Sequence, residues 1–422
     1  MSGETPPAEE TARMMGGDEE EVGSEPVAER GGPALEGEGP LVRAVVLSGF
    51  GGPSKLGVSR QSAACPGPGE LRILVKACGV GFLDLLVRQG NVDPQPRTPL
   101  VPGYECAGVV DALGEGVRDF EVGHRVAAVV NLGAWAEATV ARADHVFRLP
   151  DSMSFVEGAA LPISYLAAHL MLFDMGGLRE GMSVLVHSAG GGVGLAVAQL
   201  CASVPRVTLL GTASLAKHDV IRDSFTHVID RTGDYVQDVK RVCPGGVDIV
   251  LDCLCGENTA KGLALLKPMG TYILYGSSNV VTGETKSFFS FAKSWWQVEK
   301  VSPVRLYEEN KRMGGFQLLP LLFSAEGPAR ARRAMAEITA LYDAGALRPR
   351  VDSVWALEEV KEAMQKLLDR SNIGRVVLDT EKSPSPQGDR HSPEVSEAAE
   401  EEDAEGDGEG GAESKERKPF IR

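Results

Sequence analysis

Apolar positions along the chain fall into two textures. Between residue 42 and about residue 160 they come as short Val- and Ala-rich runs: "VRAVVLSGF", "ELRILVKACGV", "ECAGVVDALG", "HRVAAVV" and "AWAEATVARADHVFRLP". Gly, Pro and Asp part these runs, which predicts strands joined by turns, with one helical piece, "FLDLLVRQG". From about residue 163 strands alternate with helices: "SVLVH", "GLAVAQLCAS", "VTLLGT", "SLAKHDVIRD", "HVID", "DYVQDVKRV", "VDIVLDCL", "NTAKGLALLKP" and "GTYILYG". Such a succession packs as a doubly wound parallel sheet with helices on both faces, so the fold class is α/β. A long helix, "ARARRAMAEITALYDAGAL", then precedes strands "RPRVDSVWAL" and "GRVVLDT", which flank the helix "EEVKEAMQKLLD". This last part is expected to return to the β-rich region. The divisions that follow are 1–41, a β-rich domain 42–162, a parallel-sheet domain 163–309, a return 310–380, and 381–422.

Charge sets the two ends apart. The 422 residues carry a formal net charge of −16, yet residues 1–40 hold 11 acids against 2 bases and residues 381–422 hold 13 against 6. The middle is balanced. Both ends are rich in Glu and Gly and poor in aromatics, a composition that cannot offset the entropy of ordering, and they are expected to be disordered acidic tails. A docking role for the end, through Phe420 and Ile421, is the alternative. With no basic cluster, nucleic-acid binding is excluded. No apolar run approaches the roughly 18 residues that span a bilayer. "YLAAHLMLF" is interrupted by His169 and predicts a core helix. Neither a signal nor a transit pattern opens the chain, so a cytoplasmic location is expected. The seven cysteines are an odd number in mostly apolar runs, which suits reduced thiols. Cys253 and Cys255 have no second cluster beside them, so no structural zinc is expected.

The chemistry begins at "VLVHSAGGGVGLAVAQL", residues 184–200. Glycines between a strand and a helix let the backbone approach a pyrophosphate, which the free N–H groups of the helix N-terminus bind. The G-x-G-x-x-G/A fingerprint appears with Ala189 first, then Gly191 and Gly194; Gly190, Gly192 and Val193 complete the turn. Its place in a βαβ unit favours a dinucleotide over a turn kept for packing. An NAD site typically carries an acid at the end of the next strand. Here that strand ends in Gly211, Thr212 and Ser214, with Lys217 beyond. Hydroxyls and a cation suit the 2′-phosphate of NADPH.

"VLVHSAGGGVG", "GTASLAKH", "PGYECAGVV" and "LLKPMGTYILYGSSN" resemble the zinc-independent quinone oxidoreductase branch of the medium-chain dehydrogenase/reductases. The resemblance covers residues 42–380. It implies a GroES-like substrate domain, a Rossmann domain, NADPH, and a cleft between the domains. It also implies a homodimer through the Rossmann sheet edge, near residues 270–306. Zinc-dependent relatives place a His in "PGYECAG", where this chain has Tyr104 and Glu105. Ala189–Gly194 would then cradle the pyrophosphate, and Ser214 and Lys217 would hold the 2′-phosphate. Arg231 would either pair with that phosphate or stand as an ordinary surface Arg. Asp252, Leu254, Tyr275, Gly276 and Ser277 would line the nicotinamide side.

Three positions depart from the branch's pattern. Gly81, in "GVGFLDL", stands where the branch usually has an Asn able to donate near the substrate carbonyl. In "SYLAAH", Ala167 replaces a Thr and His169 a Tyr. His169 would be either a proton donor near neutral pH or a satisfied core residue. Two functions therefore stand side by side. One is an NADPH-dependent oxidoreductase that transfers hydride to a quinone or conjugated carbonyl. The other is an NADPH-binding protein with little turnover, serving as a partner-binding or peripheral membrane module.

Overall fold

The computed structural model describes residues 39–278 and 301–386. Contacts divide the chain into Met1–Pro384, which holds every element named below, and Ser385–Arg422. The expectations for residues 1–38, 279–300 and 387–422 lie outside the described residues.

The strands are β1 (Leu41–Leu47), β2 (Leu56–Ser62), β3 (Glu70–Val80), β4 (Glu105–Leu113), β5 (Arg125–Val129), β6 (Ala138–Arg142) and β7 (Val146–Arg148). They continue as β8 (Ser183–His187), β9 (Thr208–Ala213), β10 (His227–Asp230), β11 (Val247–Asp252), β12 (Leu266–Leu274), β13 (Arg312–Gly315), β14 (Val351–Ala356) and β15 (Arg375–Asp379). Strands β8 to β13 form one sheet in the order β10-β9-β8-β11-β12-β13. Each of its pairs is parallel. Its order reverses between β8 and β11, the switch point at whose carboxyl edge such sheets bind ligands. The sixth strand, β13, follows residue 309, and among the described residues it rather than β12 is the outer strand on that side.

A second sheet runs β14-β15-β3-β4-β5-β7, with β6 also on β3. Strand β15 enters antiparallel to β3, so the last strands of the chain close onto the GroES-like sheet of the first. Helix Gly192–Ala202 is apolar on nearly every side because it is enclosed, packed between the parallel sheet and helix Pro162–His169. The latter continues as one wider turn, Leu170–Met175, and this is the buried core helix expected from "YLAAHLMLF". No helix among the described residues is long and apolar enough to cross a membrane.

Candidate functional site

Strand β8 is buried throughout, and Ser188 after it takes a left-handed φ of 58° that turns the chain. Ala189 donates its N–H to the Thr212 carbonyl at 3.0 Å, and Gly191 donates to the Ser188 carbonyl at 2.9 Å. Gly191 then caps helix Gly192–Ala202 with extended backbone. A β-carbon on Gly194 would stand 2.5 Å from the Ala189 carbonyl oxygen and 2.7 Å from its Cα. Only glycine lets the helix lie this close to the turn. Gly190 and Val193 sit within the same loop and first helical turn. Unpaired amides and the positive end of the helix dipole thus face the carboxyl edge, where an anion is favoured.

A cation lies against the same place. A β-carbon on Gly192 would stand 2.6 Å from Cδ of Arg375 and 2.7 Å from Oγ of Ser164. Gly374, just before Arg375, donates its N–H to the Gly190 carbonyl at 2.9 Å. Burial pushes the Arg375 guanidinium down to about 10 and Asp84 opposes this, so it stays charged at neutral pH. A cation at a helix N-terminus is unfavourable by itself. Here it is the stem of Arg375 that covers the helix start, while its guanidinium pairs with Glu105.

Ser214, Lys217, Arg231 and Arg370 line a cavity of about 440 Å³ beside the turn. Burial lowers the Lys217 ammonium most and Arg231 next; Asp352 opposes them, and Arg370 adds a smaller lowering. Arg370 is lowered by burial and then by Arg231. The three cations therefore repel one another across this space. Asp369, the carboxyl in the lining, accepts from the Gln365 amide at 2.7 Å. The Lys217 Nζ donates to the Asn372 carbonyl at 2.6 Å. Thr212 does not join this cavity: it is 1 % exposed, and its hydroxyl bonds the His187 Nδ1 at 2.9 Å.

Three parallel strands end together nearby. The Cys253 thiol after β11 donates to the Ser188 Oγ at 3.3 Å and is hydrogen-bonded to Tyr275 after β12. Gly276 lies against Cys253, and Ser277 is exposed. Asp252 is fully buried. Its carboxylate takes the N–H of Leu254 at 2.6 Å, the N–H of Cys255 and the Tyr272 hydroxyl. Asp252 therefore shapes this loop from within, and Tyr275, Gly276 and Ser277 form its open side.

On the substrate side, Gly81 caps helix Phe82–Gln89 and donates its N–H to the Asp84 carboxyl at 2.7 Å. A β-carbon on Gly81 would stand 2.9 Å from Nη1 of Arg375. The guanidinium thus fills the space an Asn side chain would enter. Its Nη2 donates to Glu105, whose other oxygen accepts the Ile163 N–H at 2.8 Å. Burial raises the Asp84 carboxyl to about 7, against the Gly81 amide and Arg375. His169 is placed elsewhere. It is 2 % exposed, bonds Glu337 at 2.8 Å and packs on Phe173, neither of which belongs to the glycine turn. Ala167 lies in the core beside it.

Arg370, Arg375 and Asp84 were not legible as site residues. The two arginines flank the start of the last strand, over 170 positions from the glycine turn, and only the pairing of β15 with β3 returns them. Among the described residues no group of three or more His, Cys, Asp or Glu side chains is placed to hold a metal ion.

Comparison with known proteins agrees with this fold. Residues 67–151 match the alcohol dehydrogenase GroES-like domain family and residues 224–378 match the zinc-binding dehydrogenase family. The chain is 58% identical over 417 residues to the human synaptic vesicle membrane protein VAT-1 homolog-like, covering 98% of each chain. It is 30% identical over 346 residues to a quinone oxidoreductase of Sus scrofa, covering 80% of this chain and 98% of that one. Among solved structures it is similar to mycobacterial Rv1454c complexed with NADPH, at 28% identity and a TM-score of 0.70, covering 80% of this chain and 99% of that one.

Proposed function

The chain belongs to the quinone oxidoreductase family of the medium-chain dehydrogenase/reductases, and from that premise we propose that it is an NADPH-dependent, zinc-independent oxidoreductase of quinones or conjugated carbonyls. The observation that carries this reading is the meeting of Lys217, Arg231 and Arg370 around Ser214. Three cations in a partly buried space fit a dianionic 2′-phosphate far better than the 2′-hydroxyl of NADH, and no acid stands at the end of β9 to claim that hydroxyl.

In this reading Gly190–Gly194 and Arg375 hold the pyrophosphate, while the cation cavity holds the 2′-phosphate. Tyr275, Gly276 and Ser277 bound the nicotinamide end. Bound there, NADPH would supply the acceptor with a hydride and its electron pair, and water the balancing proton. The chain's own contribution is position and field. The buried strand ends would bound the nicotinamide, and fixed amides and cations would stabilise charge without reorganising. Regarding metal, "PGYECAG" offers Tyr104 and Glu105, and the Glu105 carboxylate is taken by Arg375 and the Ile163 amide.

The test is a fluorescence titration with NADPH and NADH, followed by NADPH oxidation with a quinone panel. Tight binding of NADPH over NADH with quinone-dependent oxidation is the expected result. Binding without oxidation would remove the reductase reading and leave a cofactor-binding module. No binding would remove both.

A further inference from the structure

One guanidinium serves two carboxyl groups at the junction of the two sheets. Arg375 donates to Glu105 through Nη2 and lays its stem on Gly192, the first residue of the dinucleotide helix. Its Nη1 stands against the Cα of Gly81, whose N–H is bonded to Asp84 at 2.7 Å. Asp84 is 4 % exposed, and its Oδ1 is buried with no partner. Glu105 has the direct contact and a backbone amide besides. Asp84 has the Gly81 amide and, from the same cation, only a longer-range pull.

The two acids therefore divide unequally. Glu105 takes the short ion pair, and Asp84 is held charged only as far as Arg375's field reaches it. Tyr104 and Cys78 also face Asp84, both neutral at physiological pH because burial raises them, as do the amides of Gly81 and Gly103. Arg88, buried one turn along the same helix, is the other cation of this element.

We infer that Asp84 is a proton-coupled positioning residue of the cofactor site: when the dinucleotide's pyrophosphate settles on the glycine turn beside Arg375, Asp84 takes up a proton. The inference rests on the NADPH reading above. The added anion engages the guanidinium and brings a like charge toward Asp84, and both effects disfavour the carboxylate. The proton comes from solvent and ends on the Asp84 carboxyl; no electron moves. Free of cofactor, Asp84 titrates about 7. Uptake therefore belongs above that point and vanishes in mildly acidic solution, where Asp84 already carries its proton. Cofactor affinity falls in step as the solution becomes more alkaline.

The experiment is calorimetric titration of the full-length protein with NADPH at about pH 8, in two buffers of different ionisation enthalpy, repeated at about pH 5.5. The expected result is uptake of up to one proton at the higher pH, and loss of that uptake in Asp84→Asn, whose side-chain oxygen still accepts from Gly81. Uptake of the same size in Asp84→Asn, or none in the wild type as NADPH binds, overturns the inference. Arg375→Gln is the second variant. Without the cation Asp84 stays protonated, so uptake disappears there too, and its persistence would also overturn the inference. Binding without proton uptake sinks this inference alone. Uptake without quinone-dependent oxidation sinks the reductase reading alone. Absence of NADPH binding sinks both.

Discussion

The N–H of Gly374 donates to the carbonyl of Gly190 at 2.9 Å, joining the last strand of the GroES-like sheet to the glycine turn of the parallel sheet. The run from Arg370 to Arg375 is thereby laid along the nucleotide edge. Arg370 enters the cation cavity, Asn372 offers its carbonyl to Lys217, and Arg375 covers Gly192. A segment that belongs to one sheet thus lines the cation-rich edge of the other.

Removing one of those cations reports on the 2′-phosphate. A hydrogen bond to a charged group contributes about 1.5–3 kcal/mol. Arg370→Gln is therefore expected to weaken NADPH binding by roughly 10- to 100-fold while changing NADH binding little. Parallel fluorescence titrations with the two cofactors check this. An equal loss for both would mean that Arg370 acts on the fold and not on the phosphate.

Gly194 is set by close approach. Its β-carbon would meet backbone atoms, Ala189 O at 2.5 Å and Ser188 O at 2.7 Å, which cannot rotate away. Gly194→Ala should destabilise the protein by about 1–3 kcal/mol and also weaken NADPH, since the amides would move with the helix. Urea denaturation and cofactor titration together read both effects. Unchanged values would show that the turn relaxes freely.

Asp84 makes stability depend on pH in an uncommon direction. Burial pushes it up to about 7 from the ordinary carboxylate value of 3.8, so the folded protein binds the proton more tightly than the unfolded chain. The stability so gained is complete below the unfolded value and is lost as pH rises from about 4 through about 7. The loss is up to about 4 kcal/mol if the whole shift is realised. Asp84→Asn should flatten this slope and be the more stable protein at pH 8. Denaturation midpoints between pH 5 and 8 give the answer, and parallel slopes would refute the assignment.

Restoring an Asn at position 81 is not expected to restore anything. The guanidinium of Arg375 already fills that space, 2.9 Å from the new β-carbon, and pushing it aside strips Glu105 of its partner. Breaking a buried ion pair costs about 3–5 kcal/mol. Gly81→Asn should lower the midpoint of unfolding, though less than Arg375→Gln, because Arg375 keeps some freedom to reorient. Thermal melts of both variants rank them. A stabilised Gly81→Asn protein would show that the space is free.

The glycine turn, the strand–helix alternation and the hydroxyl-plus-cation signature at Ser214 and Lys217 are local features, written within some 30 consecutive residues. The sequence by itself therefore determined the α/β class and marked the glycine turn and the neighbouring cation on which the dinucleotide reading rests. Periodicity and turn chemistry act over just such distances. Arg370, Arg375 and Asp84 carry no local mark, and His169 carried an ambiguous one, because a titratable residue in a short helix can face either a cleft or a neighbouring helix. Only the tertiary structure decided these. The antiparallel entry of β15 beside β3 brought two distant arginines to the turn, and the packing of helix Gly327–Asp343 gave His169 its partner in Glu337. Charge acts through space, and which charges meet is fixed by how the sheets close.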